Sequence, residues 1–126
     1  MAITQQGYDL QALNNGLKLQ LNEWVGAGAA ANLTTKTLGQ GISSIAYNSS
    51  TGKYLVTFSE VGYQTPAFFA SVTDSADNKW NVKLGAYTAA SKTLVVWCYA
   101  DTTLTDLPTT ATLSILALHC DSTVPQ

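Results

Sequence analysis

The stretch SSIAYNSSTGKYLVTFSE, Ser43 to Glu60, decides the fold class of this 126-residue chain. Apolar and polar residues alternate on both sides of Asn48–Gly52, a segment made of residues that are typical of turns. Alternation with a period of two, interrupted by turn residues, predicts two antiparallel strands joined as a hairpin. We therefore expect an all-β protein.

Further strand candidates follow one another at the spacing that is typical of a β-sandwich. They are Leu17–Trp24, Ile42–Tyr47, Tyr54–Glu60, Ala67–Thr73, Lys79–Tyr87, Thr93–Ala100 and Thr110–Cys120. No segment has the apolar period of a long helix. The sequence therefore predicts a single antiparallel β-sandwich, jelly-roll-like, with about seven strands and an N-terminal arm.

Two of these candidates carry information about the layers of the fold. In Lys79–Tyr87 every second residue is apolar, so one face is expected to pack on the core and the other to face water. The core-facing residues would be Trp80, Val82, Leu84 and Ala86. Thr93–Ala100 contains LVVWCY, which places apolar side chains on both faces of the strand. We therefore expect it to be a central strand that is covered on both faces.

The chain divides into three zones. Residues 1–25 are predicted to form an arm or short hairpin and the first strand, because Asn14–Gly16 is a strong turn signal. Residues 26–41 are rich in glycine and alanine and lack a sustained period, which favours a surface loop. Residues 42–126 are predicted to be the sandwich body with a short C-terminal tail.

Composition narrows the classes of partner. Only 11% of the residues are charged, the net charge is −2, and all six basic residues are lysines. Nucleic-acid binding normally uses a basic patch with arginines, so we exclude a nucleic-acid partner. No apolar run approaches the roughly 20 residues of a membrane-spanning helix, and residues 1–6 do not resemble a signal peptide. We therefore expect no membrane contact and synthesis in a cytoplasm.

Residues that could carry catalysis or bind a metal are few. The only histidine, His119, is next to Cys120 on one strand candidate, so the two side chains point to opposite faces and cannot easily pair. Asp74 and Asp77 lack the glycine and glutamate of a calcium loop. Cys98 and Cys120 are either small buried hydrophobic residues or a disulfide pair. We expect no catalytic residue, no metal and no cofactor, and we predict that the protein is not an enzyme.

What remains is apolar surface, which usually marks a protein–protein interface when the core cannot hold all of it. The first zone contributes aromatic side chains and alternating leucines, and one leucine lies on the polar side of the hairpin. The residues predicted to bind a partner are Tyr8, Leu10, Leu13, Trp24, Leu55 and Val124.

Three segments together resemble a known group of proteins. They are GISSIAYNSSTGKYLVTFSE, LVVWCYADTTLTDLPTTATLSI and LALHCDSTVP. Over Gly39 to Pro125 they are similar to small bacteriophage head decoration proteins, also called cement proteins. Similar hairpins occur in the globular tips of trimeric phage tail fibres.

The resemblance implies a structural virion protein that decorates a phage capsid and stabilises it by bridging neighbouring capsid subunits. It implies the major capsid protein as partner, self-association as a homotrimer, and a place on the capsid exterior after assembly in the host cytoplasm. The alternative is the receptor- or glycan-binding tip of a tail fibre, in which Tyr63, or Tyr87 with Asp77 and Asn78, would contact a sugar. A fibre normally has a long shaft upstream, and twenty-five residues cannot supply one.

Overall fold

The computed structural model describes residues 17–37, 44–58 and 65–120, and all regular secondary structure within them is β-strand. No helix in this part of the chain is long and apolar enough to cross a membrane. The strands are β1 (Leu17–Val25), β2 (Thr34–Thr37), β3 (Ser44–Ser50), β4 (Lys53–Phe58), β5 (Ala67–Asp74), β6 (Trp80–Thr88), β7 (Thr93–Ala100), β8 (Thr103–Leu104) and β9 (Ala111–Cys120).

The strands form two antiparallel sheets that pack face to face. The four-stranded sheet has the order β2-β1-β9-β5, and the five-stranded sheet has the order β3-β4-β7-β6 with β8 paired to β7. Strands β5 and β6 are consecutive but belong to different sheets, so residues 75–79 cross from one layer to the other. The prediction of an all-β sandwich is confirmed.

The hairpin that decided the fold class is present as β3 and β4, with Ser44 paired to Phe58 and Asn48 paired to Tyr54. Its turn ends at Gly52, which has a φ of +68°. A Cβ atom there would lie 2.7 Å from the carbonyl oxygen of Cys98, so the backbone of β7 approaches too closely for any side chain.

The structure has two short strands more than the seven predicted. Strand β2 lies inside residues 26–41, which we expected to be a loop, and it pairs with β1 through Trp24 and Thr35. Three of its four residues are threonines, which suit an edge strand because they are β-branched and polar. A four-residue strand is too short to show a period in the sequence.

The core lies between the two sheets. Its fully or nearly buried members are Trp24, Leu33, Ala46, Tyr54, Val56, Phe58, Leu94, Val96, Cys98, Leu107, Ala111, Leu113, Ile115 and Ala117. Two polar side chains of β1, Gln20 and Asn22, are also buried, while Leu19 and Leu21 of the same strand point outward and are exposed. Over residues 19–22, strand β1 therefore turns two polar side chains inward and two leucines toward solvent.

One expectation about layers holds in part, and another was wrong. Strand β7 is central, but only Leu94, Val96 and Cys98 on its inner face are fully buried. Its outer side chains are half-buried, because no described element covers that side of the five-stranded sheet. In β6 a register shift between Leu84 and Tyr87 changes the phase, so Ala86 is exposed instead of facing the core.

Candidate interaction surface

The outer face of the four-stranded sheet carries large apolar side chains in contact with water. Phe69 on β5 is 60% exposed, Leu19 on β1 is 56% exposed and Leu21 is 45% exposed. Cross-strand pairing brings them together, because Leu21 is paired with Leu116 of β9 and Leu116 is paired with Phe69. One row of three apolar residues therefore crosses three neighbouring strands.

A second apolar row lies next to the first. Leu19 is paired with Leu118, and Leu118 is paired with Ala67. We call these two rows the apolar face; it consists of Leu19, Leu21, Ala67, Phe69, Leu116 and Leu118. Its three most exposed members alone leave on the order of 300 Å² of apolar surface in water, a size at which patches on monomeric proteins are often functional.

Polar residues border the apolar face in the row next to Leu21, Leu116 and Phe69. There Glu23 is paired with Ser114, and Ser114 is paired with Ser71. The Ser114 hydroxyl donates a hydrogen bond to Oε2 of Glu23 at 2.9 Å. Glu23 is the one charged residue among the described outward-facing side chains of β1, β5 and β9. An apolar centre with a hydrogen-bonded polar rim is the usual organisation of a protein–protein interface.

The predicted partner-binding residues are placed in three different environments. Trp24 is 0% exposed and belongs to the core, so its side chain is not available to a partner. Leu55 is half-buried on the outer face of the other sheet, where it is paired with Val95 of β7. The remaining four, Tyr8, Leu10, Leu13 and Val124, lie outside the described residues.

Sequence reasoning missed Phe69, Leu116 and Leu118 as members of a surface. A signal was present, because Phe68 and Phe69 are consecutive on one strand and one of them must point outward. Strand β9 likewise has apolar residues at both parities near its end. Both strands were predicted, but their outer faces meet only because β9 lies between β1 and β5, and the sequence does not show that strand order.

The residues suggested for a sugar site are not brought together. Asn78 lies beside a shallow cavity of about 420 Å³, near the start of β6. Tyr87 lies near the opposite end of that strand, where its ring packs on Phe68 with the ring centroids 5.3 Å apart. Tyr63 is outside the described residues.

The acidic and amide groups near this cavity bind one another. Oδ2 of Asp74 accepts hydrogen bonds from Nε1 of Trp80 at 2.8 Å and from Nδ2 of Asn78 at 3.1 Å. These donors, led by the Trp80 indole, hold the pKa of Asp74 well below its ordinary value. Asp106 likewise accepts hydrogen bonds from Nδ2 of Asn48 and from the backbone N–H of Gly52. Their role is to hold the turns at this end of the sandwich together.

Among the side chains that the structure describes, there is neither an exposed reactive thiol nor a cluster of metal ligands. Cys98 is a free, buried thiol, and burial raises its pKa to about 12, so it is not a nucleophile at neutral pH. Within the described ranges, no group of three or more His, Cys, Asp or Glu residues is arranged to hold a metal ion. The apolar face is therefore the candidate site for binding another protein.

Comparison with known proteins gives no match to a family model, to a curated protein or to a solved structure.

Proposed function

We propose that this protein is a structural virion protein of a bacteriophage, which binds the outside of the capsid and stabilises it by bridging neighbouring capsid subunits. Its partners are the major capsid protein and further copies of itself, associated as a homotrimer. The observation that carries the proposal is the apolar face, and the similarity of the hairpin and of the C-terminal segments to head decoration proteins supports it.

The physical properties of the apolar face suit such a role. Covering it removes apolar surface from water, which is favourable by about 25 cal/mol per Å². The carboxylate of Glu23, in the polar row beside the face, already accepts a hydrogen bond from Ser114. Little charge has to be desolvated when a partner binds. A weak contact for one copy is sufficient on a capsid, because many copies act together and linked contacts reinforce one another.

A capsid-binding experiment tests the proposal. Capsids of the source phage that lack this protein are mixed with the purified full chain and sedimented. We expect wild-type protein to sediment with the capsids and Leu21→Glu to stay in the supernatant, because a charge is placed within the apolar face. Thr73→Glu is the matched control, because it adds the same charge to an exposed outward position of β5 outside that face.

Both variants should keep the circular-dichroism spectrum of the wild type, since both positions face solvent. Full sedimentation of Leu21→Glu would show that the apolar face is not the contact. Absence of the chain from purified virions, measured by quantitative mass spectrometry against the major capsid protein, would refute the function itself.

A further inference from the structure

The opposite side of the sandwich has a different chemical character. On the outer face of the five-stranded sheet, Trp97 of β7 is paired with Lys53 of β4 on one side and with Lys83 of β6 on the other. We call these three residues the basic row. Their inner neighbours Tyr54, Val82, Val96 and Cys98 pack in the core, so the side chains of the row point outward.

The indole of Trp97 is held in a defined place on this face. Nζ of Lys53 lies 5.2 Å from the ring centroid, within the range of a cation–π interaction. On the other side, the ring lies against Gly85 of β6. A Cβ atom on Gly85 would be only 3.2 Å from Nε1 of the indole, so the absence of a side chain there makes room for the ring.

The basic row is a local excess of positive charge on a chain whose net charge is −2. The four strands β3, β4, β6 and β7 contain no aspartate and no glutamate. Neither Lys53 nor Lys83 forms an ion pair within the described residues. Asp77 precedes Lys83 by six residues, and Asp101 follows Trp97 by four. Asp106 lies further beyond the end of β7, and its carboxylate already accepts two hydrogen bonds.

We propose that the basic row binds an anionic unit of a polysaccharide. Neighbouring strands lie about 4.8 Å apart, so the two lysine Cα atoms are roughly 10 Å from each other with the indole between them. A sugar ring that carries a carboxylate or sulfate would receive an ammonium group from each side and pack its C–H face on the indole. Binding transfers Nζ of Lys53 from the ring to the anion and so frees the ring face for the sugar.

The composition of the face favours this ligand over a nucleic acid. Single-stranded nucleic acids are bound along a groove with many basic contacts, whereas this face offers two lysines and the chain has no arginine. The row also lies on the sheet opposite to the apolar face, so a ligand here does not compete with a capsid contact there. The inference does not depend on the proposed function.

Isothermal titration calorimetry on the full chain tests the inference. The ligands are oligogalacturonate, which carries carboxylates, dextran sulfate, which carries sulfates, neutral dextran, and a single-stranded DNA oligonucleotide of matched charge. We expect at least one of the two anionic saccharides to bind, with an affinity that falls as salt is added. Neutral dextran should not bind, and DNA should bind more weakly than the preferred saccharide.

Lys53→Ala and Lys83→Ala should each weaken saccharide binding at least tenfold, and Trp97→Leu should weaken it similarly. Lys36→Ala, an exposed lysine on the other sheet, is the matched control and should bind like the wild type. The inference is overturned if neither anionic saccharide binds, if DNA binds as well as the saccharide, or if Lys36→Ala is as weak as Lys83→Ala.

Discussion

Two tyrosines whose hydroxyl groups are buried should respond in opposite ways to the loss of that oxygen atom. The hydroxyl of Tyr54 accepts a hydrogen bond from the backbone N–H of Leu107 at 2.7 Å, and both residues are 0% exposed. Tyr54→Phe keeps the ring in the core but leaves that N–H without an acceptor. An unsatisfied buried donor costs about 1–3 kcal/mol, so we expect the free energy of unfolding to fall by about 2 kcal/mol.

Tyr87 provides the matched comparison. Its hydroxyl is also buried, but it has no hydrogen-bond partner in the described part of the chain. Its ring packs on Phe68 and stays in place when the oxygen is removed. Since Tyr87→Phe removes an unpaired polar group from an apolar site, we expect the free energy of unfolding to stay the same or to rise by about 1 kcal/mol.

Urea unfolding followed by circular dichroism measures both effects. For a small domain the slope is about 1–3 kcal/mol per molar urea, so Tyr54→Phe should lower the midpoint by about 1 M with an unchanged slope. Tyr87→Phe should leave the midpoint in place or raise it. If the two variants lose the same stability, or if Tyr87→Phe loses more, hydrogen bonding to Leu107 does not explain the difference and the argument fails.

Three further predictions concern pH and backbone packing. Burial raises the pKa of Tyr54 to about 12 and that of Cys98 to about 12, from ordinary values of 10.0 and 9.0. The unfolded chain therefore loses these protons first, and melting temperature should fall as pH rises above 9 toward 12. Gly26→Ala should unfold at much lower urea or fail to fold, because its Cβ would lie 2.1 Å from the Pro108 carbonyl oxygen. Asp74→Asn should lower the melting temperature at pH 7, with a gap that narrows as pH falls below 3.8, where the unfolded carboxyl is protonated.

The fold class could be predicted because it depends on local alternation. In β4 the residues Tyr54, Val56 and Phe58 are all buried and the residues between them are half-buried, as the sequence pattern indicates. The Gly52 turn was also readable, since its backbone lies in the left-handed region that glycine adopts without strain. The predicted function, in contrast, rests on a resemblance and stays a prediction.

Features that depend on pairing between distant strands could not be predicted. The exposure of Ala86 follows from the register shift in β6. Its one signal in the sequence is Gly85, because a glycine inside a strand often marks a bulge, but that signal does not give the pairing. The apolar face exists because β1, β9 and β5 are neighbours, although Leu21 and Phe69 are 48 residues apart in the chain (69 − 21). Only the strand order shows that their outward faces meet.

The strongest physical support for a partner on the apolar face comes from β1, and specifically from which of its alternating side chains face the core and which face solvent. We call this choice the phase of the strand. A slip of one residue would bury Leu19 and Leu21, worth roughly 1.5–3 kcal/mol each. It would also expose Trp24 and displace Gly26, whose N–H donates to the Ala111 carbonyl oxygen at 2.9 Å. The Pro108 carbonyl oxygen lies so close to Gly26 that no residue with a Cβ atom fits at this position. A slip would place another residue there, so this end of the strand fixes the phase.

With the phase fixed in this way, the outward positions of β1 are free to be polar. Serine or threonine at positions 19 and 21 would suit an outward strand position equally well and would expose less apolar surface to water. No described element covers positions 19 and 21, so folding of the described part of the chain gives no reason for two leucines there, next to Leu116, Leu118 and Phe69. A partner that covers the apolar face does give such a reason, whether or not the chain is related to decoration proteins. The Leu21→Glu comparison on capsids tests this contact directly.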